Sequence, residues 1–221
     1  ILSLTAGYGK SAAAEEELFT SRVFVPKGSF TTSVEGPACE LNGVLYAVSF
    51  SRKSAIGMVS PDGQASLFVD LPVGSTGNGI RFDSAGNMLV ADYTGHNVLK
   101  IDMETRAVTV LAHESSMSQP NDIAIGANDI VYASDPNWSN STGRVWRVTP
   151  DGAVTLLASG LGTTNGIEVS PDERTLYVNE STQNNVLAYE LSPAGEITNK
   201  RLFISLPGTT LDGMRCDTAG N

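Results

Sequence analysis

The chain has 221 residues, 41% of them hydrophobic and 17% charged, with a formal net charge of −10. That balance excludes a disordered chain, and the acidic excess excludes a nucleic-acid binder, whose phosphate contacts demand a basic face. No apolar stretch reaches the roughly 20 residues of a membrane-spanning helix, and two cysteines are too few for a disulfide framework or a paired zinc site.

The opening segment ILSLTAG reads as the tail of a signal h-region or equally as a plain chain boundary, which tilts the expected location slightly toward secreted or periplasmic over cytoplasmic. GYGKS at Gly7–Ser11 ends like a phosphate-binding loop, but the first glycine such a loop needs would fall at Leu4, and no strand precedes it. SAAAEEELF at Ser11–Phe19 has room for a turn or two of helix. Residues 1–20 are therefore expected to be an N-terminal extension, and SRVFVP at Ser21–Pro26 a single spare strand.

From Glu35 onward the chain is periodic. EGPACELNGVLYAVS starts at Glu35, NGIRFDSAGNMLVAD at Asn78, NDIAIGANDIVYASD at Asn121 and NGIEVSPDERTLYVNE at Asn165, and a fifth copy, DGMRCDTAGN, starts at Asp212. The steps are 43, 43, 44 and 47 residues. Each copy opens on a carboxylate or an asparagine, then runs through two short strands separated by a turn. Third strands such as AIGMVSPDG and RVWRVTPDG follow, and then fourth strands such as QASLFVD and AVTLLAS, rich in Val, Ile, Leu and Thr. Four antiparallel strands per repeat at this period predict an all-β fold, a β-propeller. About four and a half blades are present. A six-bladed ring would need roughly another 75 residues, so residues 21–221 are expected to be one propeller domain cut short at its C-terminus, with Ser21–Pro26 as the closing strand of a final blade.

In a propeller the innermost strands line the central channel, so equivalent repeat positions meet around one axis. Those positions hold Glu35, Asn78, Asn121, Asn165 and Asp212, four of them followed by glycine. Asparagine is a poor strand former, and its recurrence here predicts side chains aimed at the axis. A single Asn-Gly is ordinarily a turn, whereas five equivalent positions predict a site. Two carboxylates and three amides suit Ca²⁺, which takes six to eight oxygen ligands, better than the tighter octahedron of Mg²⁺. Zn²⁺ would call for His or Cys, and His96 and His113 fall at non-equivalent positions expected on the surface or a blade edge. Another divalent cation is the remaining choice.

EGPACE, PNDIAI, TNGIEVSPDERTLYVNEST and LDGMRCDTAGN resemble the gluconolactonase, senescence-marker-protein and luciferin-regenerating-enzyme family, with diisopropyl fluorophosphatase a more distant relative of similar architecture. The resemblance covers most of residues 32–221 and implies a six-bladed propeller, a calcium-dependent hydrolase site on the axis and lactone substrates. It implies Glu35, Asn121, Asn165 and Asp212 as metal ligands, with Asp212 also catalytic, either activating a water or attacking directly. Asn78 then faces the substrate, with Asn121 beside it.

YASDPNWSNSTGRVW carries a loop expected at the mouth, where Ser134, Asp135 and Trp138 are candidate substrate contacts; a plain turn at Asp135-Pro136 and a blade-edge role for Trp138 are the alternatives. Asn137, Asn140 and Asn179 match the glycosylation triplet. Cys39 and Cys216, four residues after Glu35 and Asp212, are expected to be buried free thiols. The expected function is a lactone hydrolase acting on a small molecule. The alternatives are a binding propeller with a structural calcium and a phosphotriesterase at the same site. Which lactone is opened and the oligomeric state are not legible in the residues.

Overall fold

The computed structural model describes residues 22–221. Its strands form four sheets, each a four-stranded antiparallel meander in chain order. Blade one comprises β1 (Ala38–Cys39), β2 (Leu45–Val48), β3 (Ala55–Val59) and β4 (Ala65–Asp70). Blade two comprises β5 (Gly77–Phe82), β6 (Met88–Asp92), β7 (Asn97–Ile101) and β8 (Val108–His113). Blade three comprises β9 (Ile123–Ile125), β10 (Val131–Asn137), β11 (Thr142–Val148) and β12 (Val154–Leu161), with a short 3-10 turn at Ala127–Asp129. Blade four comprises β13 (Thr164–Val169), β14 (Thr175–Glu180), β15 (Asn185–Leu191) and β16 (Ile197–Ser205). The fold is the β-propeller that the repeat predicts.

The core lies between the sheets, and strand alternation builds it. All five residues of β6 are buried, because the two faces of the strand serve different neighbours. Met88 and Val90 join Tyr46, Val48 and Ile56 of blade one, while Leu89 and Ala91 join Ile123, Val131 and Trp146 of blade three. On β10, Val131 and Ala133 face blade two, and Tyr132 packs with Ile167, Leu176 and Val178 of blade four. Each large apolar side chain buried this way contributes about 1.5–3 kcal/mol. The outermost strands read differently: β16 is exposed along nearly its whole length, with Leu202, Phe203 and Ile204 open to solvent. Stacking the sheets face to face draws their inner strands together, and β2–β5, β5–β9 and β9–β13 are in contact.

Three expectations are corrected. Residues 22–26 form no strand; Phe30 alone makes a single bridge, to Phe50. The stretch 212–221, expected as an innermost strand, also lacks strand structure. In both cases no strand backbone among the described residues pairs with the backbone of the segment, and an extended chain without a backbone partner is not a strand. Cys39 is exposed and Cys216 half-buried, so both are free but neither is buried. Ser21, GYGKS and SAAAEEELF lie outside the described residues.

Ile167, fully buried between blades three and four, tests the inter-blade core. Ile167→Ala should cost about 2–5 kcal/mol, read as a lower urea midpoint with an unchanged m-value.

Candidate functional site

The inner strands deliver the five repeat-opening residues to one place. Asn78 lies in β5 and Asn165 in β13, and in both strands the ladder to the next strand slips at that point, between Gly77 and Ile80 and between Thr164 and Ile167. Such bulges re-aim side chains and recur beside functional sites, which accounts for a polar amide inside a strand. Asn121 lies two residues before β9, and its carbonyl accepts from the Gly79 N–H at 2.8 Å, stitching blade two to blade three. The glycine after Asn165 is required by close approach: a Cβ on Gly166 would stand 2.5 Å from the Asp212 carbonyl oxygen.

Glu35, Asn78, Asn121, Asn165 and Asp212 line two cavities at once, one of about 400 Å³ and one of about 410 Å³. The five side chains therefore form a polar partition between two chambers on the axis. Both chambers fall within the size range of small-molecule sites. Asn121 and Asn165 are buried, while Glu35 and Asp212 are open to the cavities. Asn165 Nδ2 donates to Asp212 Oδ1 at 3.2 Å. The Glu35 carboxyl is held above the ordinary carboxylate range, first by loss of hydration and then by the negative charges of Asp212 and Asp122. Ionised together, these carboxylates repel one another, and a cation between them would remove that cost.

The donor set is two carboxylates and neutral amide oxygens, hard ligands of the kind calcium accepts. The described residues contain no group of three or more His, Cys, Asp or Glu placed to hold a metal, so an ion on this axis would depend on the amides. His113 lies on the outer strand β8, its Nδ1 2.7 Å from Asn97 Oδ1, and His96 sits in the β6–β7 turn. Neither approaches the ring.

One chamber opens past Ser33, Ser49, Lys53, Tyr93 and Trp138. Trp138, 37% exposed, is the one mouth-loop candidate that the fold brings to the cavity. Ser134 and Asp135 are fully buried and line neither chamber. Ser134 Oγ accepts from the Asp122 N–H at 3.0 Å. Asp135 Oδ1 accepts from Ser118 N and Gln119 N, each at 2.7 Å, and Oδ2 takes Trp146 Nε1 at 2.9 Å and pairs with Arg144 Nε at 3.2 Å. Its carboxylate thus fixes the loop two residues ahead of Asn121 without touching the site. Asp92 does the same two residues ahead of Asn78, accepting from Thr76 N at 3.0 Å, and Glu180 takes Gly162 N at 2.6 Å. The endings LVAD, YASD and YVNE carry this signal in the sequence. Asn179, a formal glycosylation triplet, is only 2% exposed, which removes it as an acceptor.

The other chamber is edged by Asp122 and Arg215, part of a charge cluster that the repeat alignment did not single out. Asp122 takes the place of the glycine that follows Asn78 and Asn165, and its carboxylate occupies the space left by the missing Gly79 side chain. Asp122 Oδ1 pairs with Arg81 and Oδ2 with Arg215, both at 3.2 Å. Glu168 Oε2 lies 3.4 Å from Arg81 and 3.8 Å from Arg215. Burial lowers the Arg81 pKa against the pull of Asp122, and burial raises that of Glu168 against the two arginines. Arg81, Glu168 and Arg215 each stand three residues after a ring residue, a second set of equivalent positions visible in the sequence.

Four consecutive blades around a polar axis, with a partition of carboxylate and amide side chains between two chambers, define a propeller of the axial-site class. The pattern of the SMP-30/Gluconolactonase/LRE-like region matches residues 34–221, and the chain belongs to that family. It is 29% identical to a gluconolactonase of Zymomonas mobilis over 85% of its length, and spans 62% of that relative. Its fold is similar to that of a gluconolactonase from Xanthomonas campestris, with a TM-score of 0.74, 23% identity, and coverage of 87% of this chain and 69% of that one. It is likewise similar to a calcium-binding regucalcin from Agrobacterium tumefaciens, with a TM-score of 0.72, 22% identity, and coverage of 85% and 65%.

Two outcomes are expected. Asp135→Ala strips a buried carboxylate from Arg144 and two backbone N–H groups, and should cost about 3–5 kcal/mol in urea unfolding. For Glu35, a carboxyl raised by folding favours the folded state at low pH and loses that contribution as pH rises through its raised value. In EDTA at pH 7, Glu35→Gln should therefore melt higher than wild type, with the gap closing as pH falls toward 4.5 and below.

Proposed function

We propose that the chain is a calcium-dependent hydrolase that opens sugar lactones at the axial ring. The observation that carries this reading is the convergence of two carboxylates and three amides on a partition open to a small-molecule chamber. The family and the gluconolactonase relative support the lactone as substrate, and the regucalcin likeness accords with calcium.

Glu35, Asn121, Asn165 and Asp212 would hold the ion, and the two carboxylates would balance its charge. Bound there, a divalent cation supplies a Lewis acid that polarises the lactone carbonyl and stabilises the developing oxyanion. Asp212, open to the cavity, takes the proton of the attacking water as its oxygen bonds to the carbonyl carbon. The ring C–O bond then breaks, the departing alkoxide takes that proton from the Asp212 carboxyl, and an open-chain hydroxy acid remains with Asp212 ionised again. Asn78 faces the same chamber and can donate to a substrate hydroxyl. Trp138 offers an apolar face to a sugar ring, with the Tyr93 hydroxyl beside it. Lys53 places a cation at the mouth.

Gluconolactone and pentonolactone opening, followed as proton release above the spontaneous rate, should require calcium and stop in EDTA. Asp212→Ala should lower kcat by about 100-fold or more while its melting temperature in EDTA stays near that of wild type. Equal rates in the two proteins would overturn the assignment of Asp212, and a wild-type rate indifferent to calcium would overturn the metal.

A further inference from the structure

Asp212 joins the ring from the segment that follows blade four. The other channel residues sit in or just before innermost strands, whereas residues 206–221 pair with no sheet among the described residues. What holds this segment is a row of side chains on blade four. Asn179 Nδ2 donates to the Asp212 carbonyl oxygen, Ser181 Oγ donates to the Leu211 carbonyl oxygen at 2.5 Å, and Asn184 Nδ2 donates to the Thr209 carbonyl oxygen. The Leu206 N–H returns a backbone bond to the Asn184 carbonyl at 2.8 Å. Three polar side chains along the end of β14 and the turn after it thus grip three carbonyls of one stretch.

The clasp has features that a surface tether lacks. Asn179 and Ser181 are 2% and 1% exposed, so their donors reach these carbonyls with little competition from water. Asn179 occupies the repeat position held by Val48, Ala91 and Ser134 in the other blades. In blade four that position donates to the carbonyl of Asp212. Gly166 leaves the room for it: a Cβ there would lie 2.7 Å from Asn179 Nδ2 as well as 2.5 Å from the Asp212 carbonyl oxygen. The carbonyl gripped by Asn179 belongs to the residue whose carboxylate joins the ring, so loss of this bond frees the backbone from which that carboxylate projects.

We propose that Asn179 and Ser181 are positioning residues for Asp212, a clasp that sets the carboxylate where the ring needs it. This rests on the calcium-lactonase reading for its functional consequence, though the grip itself can be measured without calcium or substrate. Partners that orient a ligand without touching the metal typically account for a 10–100-fold effect on affinity or rate, so an effect of about that size is expected here.

The test compares wild type, Asn179→Ala, Ser181→Ala and the hydroxyl-retaining Ser181→Thr, with Asn87→Ala as a control that removes a similar amide contact to Asp83, away from the ring. Three readouts are taken: amide hydrogen exchange of residues 209–213 in EDTA, calcium affinity by titration, and kcat and KM for gluconolactone. In the two loss variants, exchange at 209–213 should quicken about tenfold, calcium binding should weaken about 10–100-fold, and kcat should fall more than KM rises. Ser181→Thr should recover most of each effect, and Asn87→Ala should leave all three unchanged. Unchanged exchange and calcium affinity in both loss variants would overturn the clasp, even if their melting temperatures drop. A wild-type chain that neither binds calcium nor opens lactones would overturn the lactonase reading instead, and exchange at 209–213 would still decide whether the clasp exists.

Discussion

Face-to-face burial of one sheet against the next is the constraint from which the rest of this structure follows. A strand such as β6 is apolar on both faces, Met88 and Val90 on one and Leu89 and Ala91 on the other. It is stable only between two neighbours. Repeating that demand from blade to blade turns the sheets about a common axis and brings every innermost strand to the centre. The axial site is a consequence of packing. Residues 43 or 44 apart in the chain become neighbours because their strands have nowhere else to bury their flanks.

At the centre the packing rule gives way to polar chemistry, and the backbone adapts to it. The ladders slip at Asn78 and Asn165, backbone atoms of successive blades bond directly, as at Gly79 and Asn121, and glycine follows four of the five ring residues. The two chambers on either side of the ring then diverge. One is open and edged by Trp138, Tyr93 and Lys53; the other is edged by Asp122 and Arg215, which pair with Arg81 and Glu168 behind them, two charges of each sign. Asp122 of that cluster adds to the negative charge that bears on Glu35. The unbalanced negative charge of Glu35 and Asp212 is therefore concentrated at the partition, which is where a cation is of use.

Carboxylates in this molecule do two kinds of work, and burial separates them. Asp92 and Asp135 are fully buried and Glu180 nearly so; each is engaged by the N–H groups of a loop that enters an innermost strand. Their charge is spent on holding the loops. Glu35 and Asp212 have no such saturation and remain exposed to the cavities. The distinction explains why Asp135, which stands in a mouth-loop sequence and reads as a substrate contact, instead belongs to the scaffold behind Asn121.

The period of the repeat, the four strands within it and the polar residue at its head were legible from the residues alone. Alternation and turn chemistry are local properties, and equivalence between repeats places five side chains on one axis by symmetry. The carboxylate endings of the second strands and the positions occupied by Arg81, Glu168 and Arg215 were present in the same alignment, but their meaning depends on which partners lie across the blade boundary. Tertiary structure alone decided that Asp135 is consumed by backbone N–H groups, that Asp122 fills the space beside Gly79, and that Asn179 and Ser181 grip the backbone at Asp212. Each of those outcomes rests on contacts between segments tens of residues apart. Periodicity records which face of a strand a residue takes, and it carries no information about which distant group will be there to meet it.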